Sequence, residues 1–388
     1  MAVKSSSAAE SVAAPRPGWR RARTLLSTYR YPLVVFAASR AGVALLFAMV
    51  AWTHRVPKHS GLTYSSMFGA LDRWDAIWYH WIAVRGYDPA VAHGNTAAFY
   101  PLWPLTWRVA SIVPLPIYVV GALISTALFA PALCLLYRMT LERYDVAMAR
   151  RTTLYVAIWP LAFVYSLPYS ESLYLLCSLA AFALTWHRRM WLGSAAGALA
   201  VLARPVGIAL VPAFAWRIYR REGLRWRAYL PLLLMVAAEL AFFTYLGWRT
   251  GDWLGSTNAQ HRGWGRGFVP LPIEIGRGLY EDVISNGLLR TLADVSFTFG
   301  WAFLWYRAWR VLRLPAEYLI YAALVVLLPS SGGSLLSMGR MGMVGFPLFW
   351  ALADWGKDER VDSMVKTVAP ALLATLVFLA FGTRTFVP

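Results

Sequence analysis

The sequence predicts an all-α polytopic membrane protein, and three observations lead there. Hydrophobic residues make up 59% of the 388-residue chain and charged residues only 14%, against about a quarter charged in soluble domains. Mean hydropathy is +0.50, more apolar surface than a soluble core of this size hides. Apolar runs recur along the chain near the length of a bilayer-crossing helix, about 17–25 residues. The net charge of +18 does not point to nucleic acid, because the arginines cluster in short loops between apolar runs, where cytoplasmic anchors belong.

Residues 1–30 are Ala/Ser/Arg-rich and read as a disordered basic cytoplasmic tail. Residues 31–385 read as one transmembrane domain. The run after Arg30 is too long for the core of a cleavable signal peptide, so it reads as a retained first span. Candidate spans are 31–52, 116–137, 152–168, 170–186, 228–247, 288–306, 315–329, 341–355 and 366–383, about nine in all. The segment 190–218 is interrupted by 203-ARPVG-207, where proline breaks the backbone ladder. It reads as a helical hairpin dipping in from the cytoplasm, with Arg204 at its tip. That layout puts Arg138, Arg143, Arg150, Arg151, Arg188, Arg189, Arg217, Arg220, Arg221, Arg225, Arg227, Arg307, Arg310, Arg313, Lys357, Arg360 and Lys366 on one side. By the positive-inside rule the N-terminus is cytoplasmic. The long loops 53–115 and 248–287, and the short loop 330–340, are then external.

The external loops carry the chemistry-bearing residues. In 71-LDRWDAIWYHWIAVRGYDP-89 a helix over 72–82 would put Asp72 and Asp75 on one face, with Tyr79 a turn further on. Trp74, Ile77, Trp78 and Trp81 would cover the membrane side. A surface helix whose acids pair with Arg73 or Arg85 is the plain alternative. An acid at a dry aromatic membrane edge is costly unless used. Glu171, in 168-PYSES-172, reads either as a site acid or, with Ser170, as a helix N-terminal motif. Arg204, deep in the bilayer, needs an anion. That anion is a phosphate, or a carboxylate such as Glu171 or Glu239. The stretch 258-NAQHRGWGR-266 offers Gln260, His261, Arg262 and Trp264 to a phosphate or sugar. Arg340 stands at the external edge after 330-SSGGS-334. The two cysteines, Cys134 and Cys177, lie in apolar runs with no disulfide or metal spacing. Neither a Walker A motif nor a strand–Gly-rich turn–helix unit occurs.

The combination of 73-RWDAIWYHWIAVRGYDP-89 with 98-AFYPLWPL-105 resembles the PIG-V-type GPI mannosyltransferase family. The segments 168-PYSESLYLL-176, 202-LARPVGIALVP-212, 259-AQHRGWGR-266 and 338-MGRMGMVGFPLF-349 follow in the family's order. The resemblance covers roughly residues 30–385. It implies a GT-C-type glycosyltransferase fold, a polyprenyl phosphate mannose donor, an inverting reaction on the external face and no nucleotide. It implies that Asp75 is the acid of the first external loop, with Asp72 the weaker candidate. Arg204, Gln260, Trp264 and Arg340 match recurrent positions. The acceptor expected is a glycolipid or cell-envelope glycan, because the Ala/Arg bias suggests a high-GC bacterium, which has no GPI anchor. No cofactor is expected. Asp72 and Asp75 could share a divalent metal, but arginines can already neutralise the phosphate. Partners are then the lipid-linked donor, the acceptor and membrane lipids. A GT-C enzyme using another lipid-linked sugar such as arabinofuranose is the near alternative. A lipid or sugar transporter is the distant one, since 190–218 has no matching broken segment elsewhere.

Overall fold

In the computed structural model the described residues are 18–53, 71, 73–267, 273, 280, 283–284, 287–332, 334–383, 386 and 388, and among them there is no strand. The helices are α1 (Gly18–Thr53), α2 (Asp75–Arg85), α3 (Leu102–Ala110), α4 (Ile117–Arg143), α5 (Val146–Ile158), α6 (Glu171–Trp186), α7 (Met190–Ala203), α8 (Leu210–Glu222) and α9 (Leu233–Thr250). They continue with α10 (Gly255–Trp264), α11 (Leu288–Arg310), α12 (Ala316–Ser330), α13 (Met338–Gly342), α14 (Phe346–Trp355) and α15 (Glu359–Val377). Among the described residues four stretches are long and apolar enough to cross a membrane: Thr28–Trp52, Ile117–Arg143, Trp226–Thr250 and Glu359–Gly382. Their outward faces stay apolar, with Leu45, Leu123, Leu240 and Leu372 exposed. Water would penalise those faces, whereas hydrocarbon accepts them.

The interior is aromatic. Trp103, Trp107, Trp301, Trp350, Tyr165 and Phe163 are fully buried. A half-buried arginine stacks among aromatic rings at the molecule's charged end. The Arg143 guanidinium lies 5.2 Å from the centroid of Tyr318 and 5.4 Å from that of Trp186. Stacking on those faces replaces part of its hydration.

Several expectations change in detail. The helix at the N-terminus begins at Gly18, inside the stretch 1–30 read as a disordered tail. The expected span 152–168 is broken. Helix α5 stops at Ile158 and a 3-10 turn follows over Ala162–Ser166, because Pro160 cannot extend the ladder. The helix expected over 72–82 begins at Asp75 and ends at Arg85. Asp72 lies outside the described residues, as do Glu274, Glu281 and Asp282.

The hairpin is present. Helix α7 ends at Ala203 with the extended Arg204 as its cap, a 3-10 turn covers Pro205–Ala209, and α8 returns. Arg217 near the end of α8 reaches the Thr185 carbonyl at 3.5 Å, just before α7 begins. The chain therefore goes in and comes back to the same end. The two limbs pack on different neighbours, α7 on α6 and α9, and α8 on α12.

Two ends follow from these contacts. Arg138–Glu142, Arg217–Glu317 and Arg307–Asp354 mark one. The starts of α2 and α6, the hairpin tip and α13 meet at the other.

Candidate functional site

Four charged side chains from four elements form one chain at the second end. Asp75 Oδ2 accepts from Arg340 Nη1 at 2.5 Å. Arg340 Nε lies 3.6 Å from Glu171 Oε1. The same Glu171 oxygen contacts Arg204 Nη1. The order Asp75–Arg340–Glu171–Arg204 alternates in sign and sums to zero, the condition under which buried charges are tolerable. Side-chain exposure is highest at its start: 24% for Asp75, 5% for Arg340, 1% for Glu171 and 9% for Arg204. Asp75 is the accessible end of a buried ionic string. Burial alone would make Arg340 easier to deprotonate, but Asp75 and Glu171 more than reverse this, so it stays charged.

Local backbone explains how each group is aimed. Asp75 is the first residue of α2, and Trp74 before it sits at φ 49°. That left-handed conformation is costly for a bulky residue. It is held by packing: the Trp74 ring meets Phe381 edge-on at 5.1 Å. Phe381 is presented by the π-helical turn Phe378–Thr383, and it also packs against Phe47. Arg340 is delivered in a similar way. Ser337 sits at φ 65° and opens the one-turn helix α13. Buried Asp294 of α11 accepts the Met338 N–H at 3.0 Å, and Trp301 donates to the Met338 carbonyl at 2.9 Å. A Cβ at Gly339 or Gly342 would run into Leu161 or Trp301 respectively. The glycines of 338-MGRMG-342 thus let α13 press onto α11 and the turn at Leu161 and fix Arg340.

Glu171 is the first residue of α6, where a carboxylate suits the positive helix end. Ser170 makes no side-chain cap. Its hydroxyl pairs with Tyr79 Oη at 2.9 Å and accepts from Arg204 Nη1 at 3.3 Å. Tyr79 of α2 is thereby locked to the start of α6 and the hairpin tip. Burial pushes its hydroxyl well above the ordinary phenol range, so it remains a proton carrier in the lock. The Arg340 guanidinium lies 5.2 Å from the centroid of the Tyr169 ring. Arg204 also reaches the Met341 sulfur at 3.0 Å.

The Phe-Tyr-Pro stretch anchors this platform. Trp103 donates to the Pro168 carbonyl at 3.0 Å, tying α3 to the turn before α6. Tyr87, after the C-terminal Gly86 of α2 at φ 70°, donates to the Phe99 carbonyl at 2.7 Å. Tyr100 donates to Glu239 at 2.6 Å. Glu239, the other carboxylate considered for Arg204, is thus engaged by Tyr100.

Helix α10 forms a wall beside the string. Trp264 packs on Trp78 at 5.2 Å and Phe99 at 5.5 Å. Gln260 donates to the Ala98 carbonyl at 3.2 Å. His261 and Arg262 are exposed on its outer face, and Arg262 lies 3.9 Å from Asp252. Sequence reasoning therefore brings Asp75, Tyr79, Glu171, Arg204 and Arg340 into one cluster. Gln260 and Trp264 sit in the adjoining wall, and His261 lies outside both. It missed Ser170 as the hydroxyl hub, Trp74 and Ser337 as strained hinges, and Asp294 as the support of α13. Among the described residues no group of three or more His, Cys, Asp or Glu is placed to hold a metal ion. The positive charge in this site comes from guanidiniums.

No family model matches the chain, and no curated protein does. Three solved structures of the Archaeoglobus fulgidus oligosaccharyltransferase are similar to it. The apo form has a TM-score of 0.47 at 15% identity, covering 92% of this chain and 55% of that one. The form tethered to an acceptor peptide with the NVT sequon has a TM-score of 0.46 at 13% identity, covering 94% and 55%. The complex with zinc and sulfate has a TM-score of 0.44 at 16% identity, covering 89% and 52%. The chain is similar to these oligosaccharyltransferase structures and spans about half of their length.

Proposed function

We propose that this protein is a membrane glycosyltransferase of GT-C type, moving a sugar from a polyprenyl phosphate donor to a hydroxyl of a glycolipid or cell-envelope glycan. Mannose is the sugar implied by the resemblance. The observation that carries the reading is the ionic string, whose one accessible member is the Asp75 carboxylate. A buried Arg–Glu–Arg core of net charge +1, balanced by a reachable acid at its end, suits a reaction that needs both a base and a held phosphate.

In the proposed step Asp75 takes the proton of the acceptor hydroxyl. That oxygen bonds to C1 of the sugar as the C1–O bond to the lipid phosphate breaks, and the electron pair leaves with the phosphate. Inversion puts base and leaving group on opposite faces of C1. Arg204, which touches Glu171 and not Asp75, then suits the phosphate better than Arg340 does. Arg340 contacts both carboxylates, so an arriving phosphate could draw it from Asp75 and free the base. Arg204, held by Glu171 and Ser170, acts on the developing phosphate charge without reorganisation at the moment of reaction. An external position for this site is the reading that the basic loops at the opposite end support, by the positive-inside rule.

Purified full-length protein in lipid, given radiolabelled polyprenyl phosphate mannose and cell-envelope lipid extract, should move label into a lipid or glycan product, and chelation with EDTA should leave the rate unchanged. Label that stays on the donor across a panel of acceptors would overturn the mannose-donor reading. Loss of transfer on chelation that magnesium restores would overturn the metal-free one.

A further inference from the structure

The far end of the molecule holds a charged cavity that the proposed sugar transfer does not use. It has a volume of about 540 Å³, and Arg188, Arg217, Arg221, Arg227, Trp191 and Glu222 are among its lining residues. It lies where the two limbs of the α7–α8 hairpin come back together. We propose that it binds the phosphate headgroup of an anionic phospholipid in the leaflet at that end.

The charge balance is the first argument. Four guanidiniums line the cavity with one carboxylate, and Glu222 is within 3.7 Å of Arg225, which is not a lining residue. Glu317 pairs with Arg217 at 2.8 Å. Burial and the repulsion of Arg217 and Arg188 together make Arg221 easier to deprotonate, against the smaller opposing pull of Glu317 and Glu222. Like charges gathered in one concavity are stabilised by an anion.

The second argument is an unused donor. Arg217 is only 6% exposed, and its Nε is buried without a hydrogen-bond acceptor. A buried guanidinium N–H without a partner carries a desolvation cost that a phosphate oxygen would remove. The third is strain. Arg188, in the α6–α7 turn, sits at φ 61°, a conformation that persists only where the surroundings hold it.

The rim decides between a lipid and a soluble phosphate. Trp191, Leu192, Leu224 and Trp226 are all more than half exposed. Exposed indoles beside arginines are characteristic of the depth where headgroups meet acyl chains. A soluble phosphate would leave that apolar rim wet, whereas a phospholipid would cover it. Basic pockets between helices at this depth take anionic headgroups.

The test uses purified full-length protein in detergent, with native mass spectrometry reading retained phosphatidylglycerol or phosphatidylcholine. Wild type should retain phosphatidylglycerol about tenfold better than phosphatidylcholine. Arg188→Gln/Arg227→Gln, which changes two exposed lining residues, should abolish the preference. Arg220→Gln/Arg225→Gln removes the same charge outside the cavity and should keep it. Millimolar inorganic phosphate should not displace the lipid. No preference in wild type, or equal loss in both double variants, would overturn the site. Displacement by inorganic phosphate would overturn the lipid and leave a soluble-anion site.

Discussion

Asp75 and Glu171 are both carboxylates facing Arg340, yet their surroundings divide the work. Asp75 is reachable and Glu171 is sealed, so the first suits proton transfer and the second positions two guanidiniums. Removing one partner of a buried ionic cluster leaves uncompensated charge and typically costs about 3–5 kcal/mol. Glu171→Gln should therefore lower the stability of the purified protein by about that amount in a denaturant or thermal titration. An unchanged midpoint would mean that Glu171 does not neutralise Arg204 and Arg340. The candidates themselves were legible, because an acid among tryptophans and an arginine beside an apolar run are both expensive unless used. Their pairing was not. Asp75 and Arg340 are 265 residues apart, and no local pattern in either segment names the other. The left-handed backbone of Trp74 and Ser337 was also invisible, since neither is a residue that favours it.

At the scale of elements, the hairpin is what carries Arg204 to Glu171. Its break was readable from 203-ARPVG-207, because proline at 205 denies the ladder a donor. Its close packing was not readable. A Cβ on Gly207 would stand 2.5 Å from the Val201 nitrogen and 2.6 Å from the Ala200 carbonyl. Those atoms are backbone and cannot swing aside, so the tip itself would have to open. Gly207→Ala should lose stability and should reduce transfer, by shifting Arg204, more than the stability loss alone explains. Full transfer by a well-folded Gly207→Ala protein would contradict a role for the tip geometry. The start of α2 shows a different limit of sequence reading. The helix considered over 72–82 has its first residue at Asp75, after the turn at Trp74, so a strained hinge presents the acid at the helix start.

At the scale of the molecule, charge is sorted between two ends. Loop arginines gather at one, where exposed pairs such as Arg138–Glu142 contribute little to stability but hold that end in water. The other end concentrates its charge in a buried, neutral string. This sorting was the most legible feature of all, because it follows from where arginines fall between apolar runs. The lengths of the individual crossings were less so, since Pro160 splits one span into a helix and a 3-10 turn. The central claim rests on the Asp75 carboxylate as the base. Its most direct test compares wild type with Asp75→Asn in single turnovers of labelled polyprenyl phosphate mannose, with donor binding measured separately. General-base help is worth about 10²–10⁴-fold. A fall of that size with donor binding retained is the predicted result, and wild-type turnover by a folded Asp75→Asn protein would contradict it.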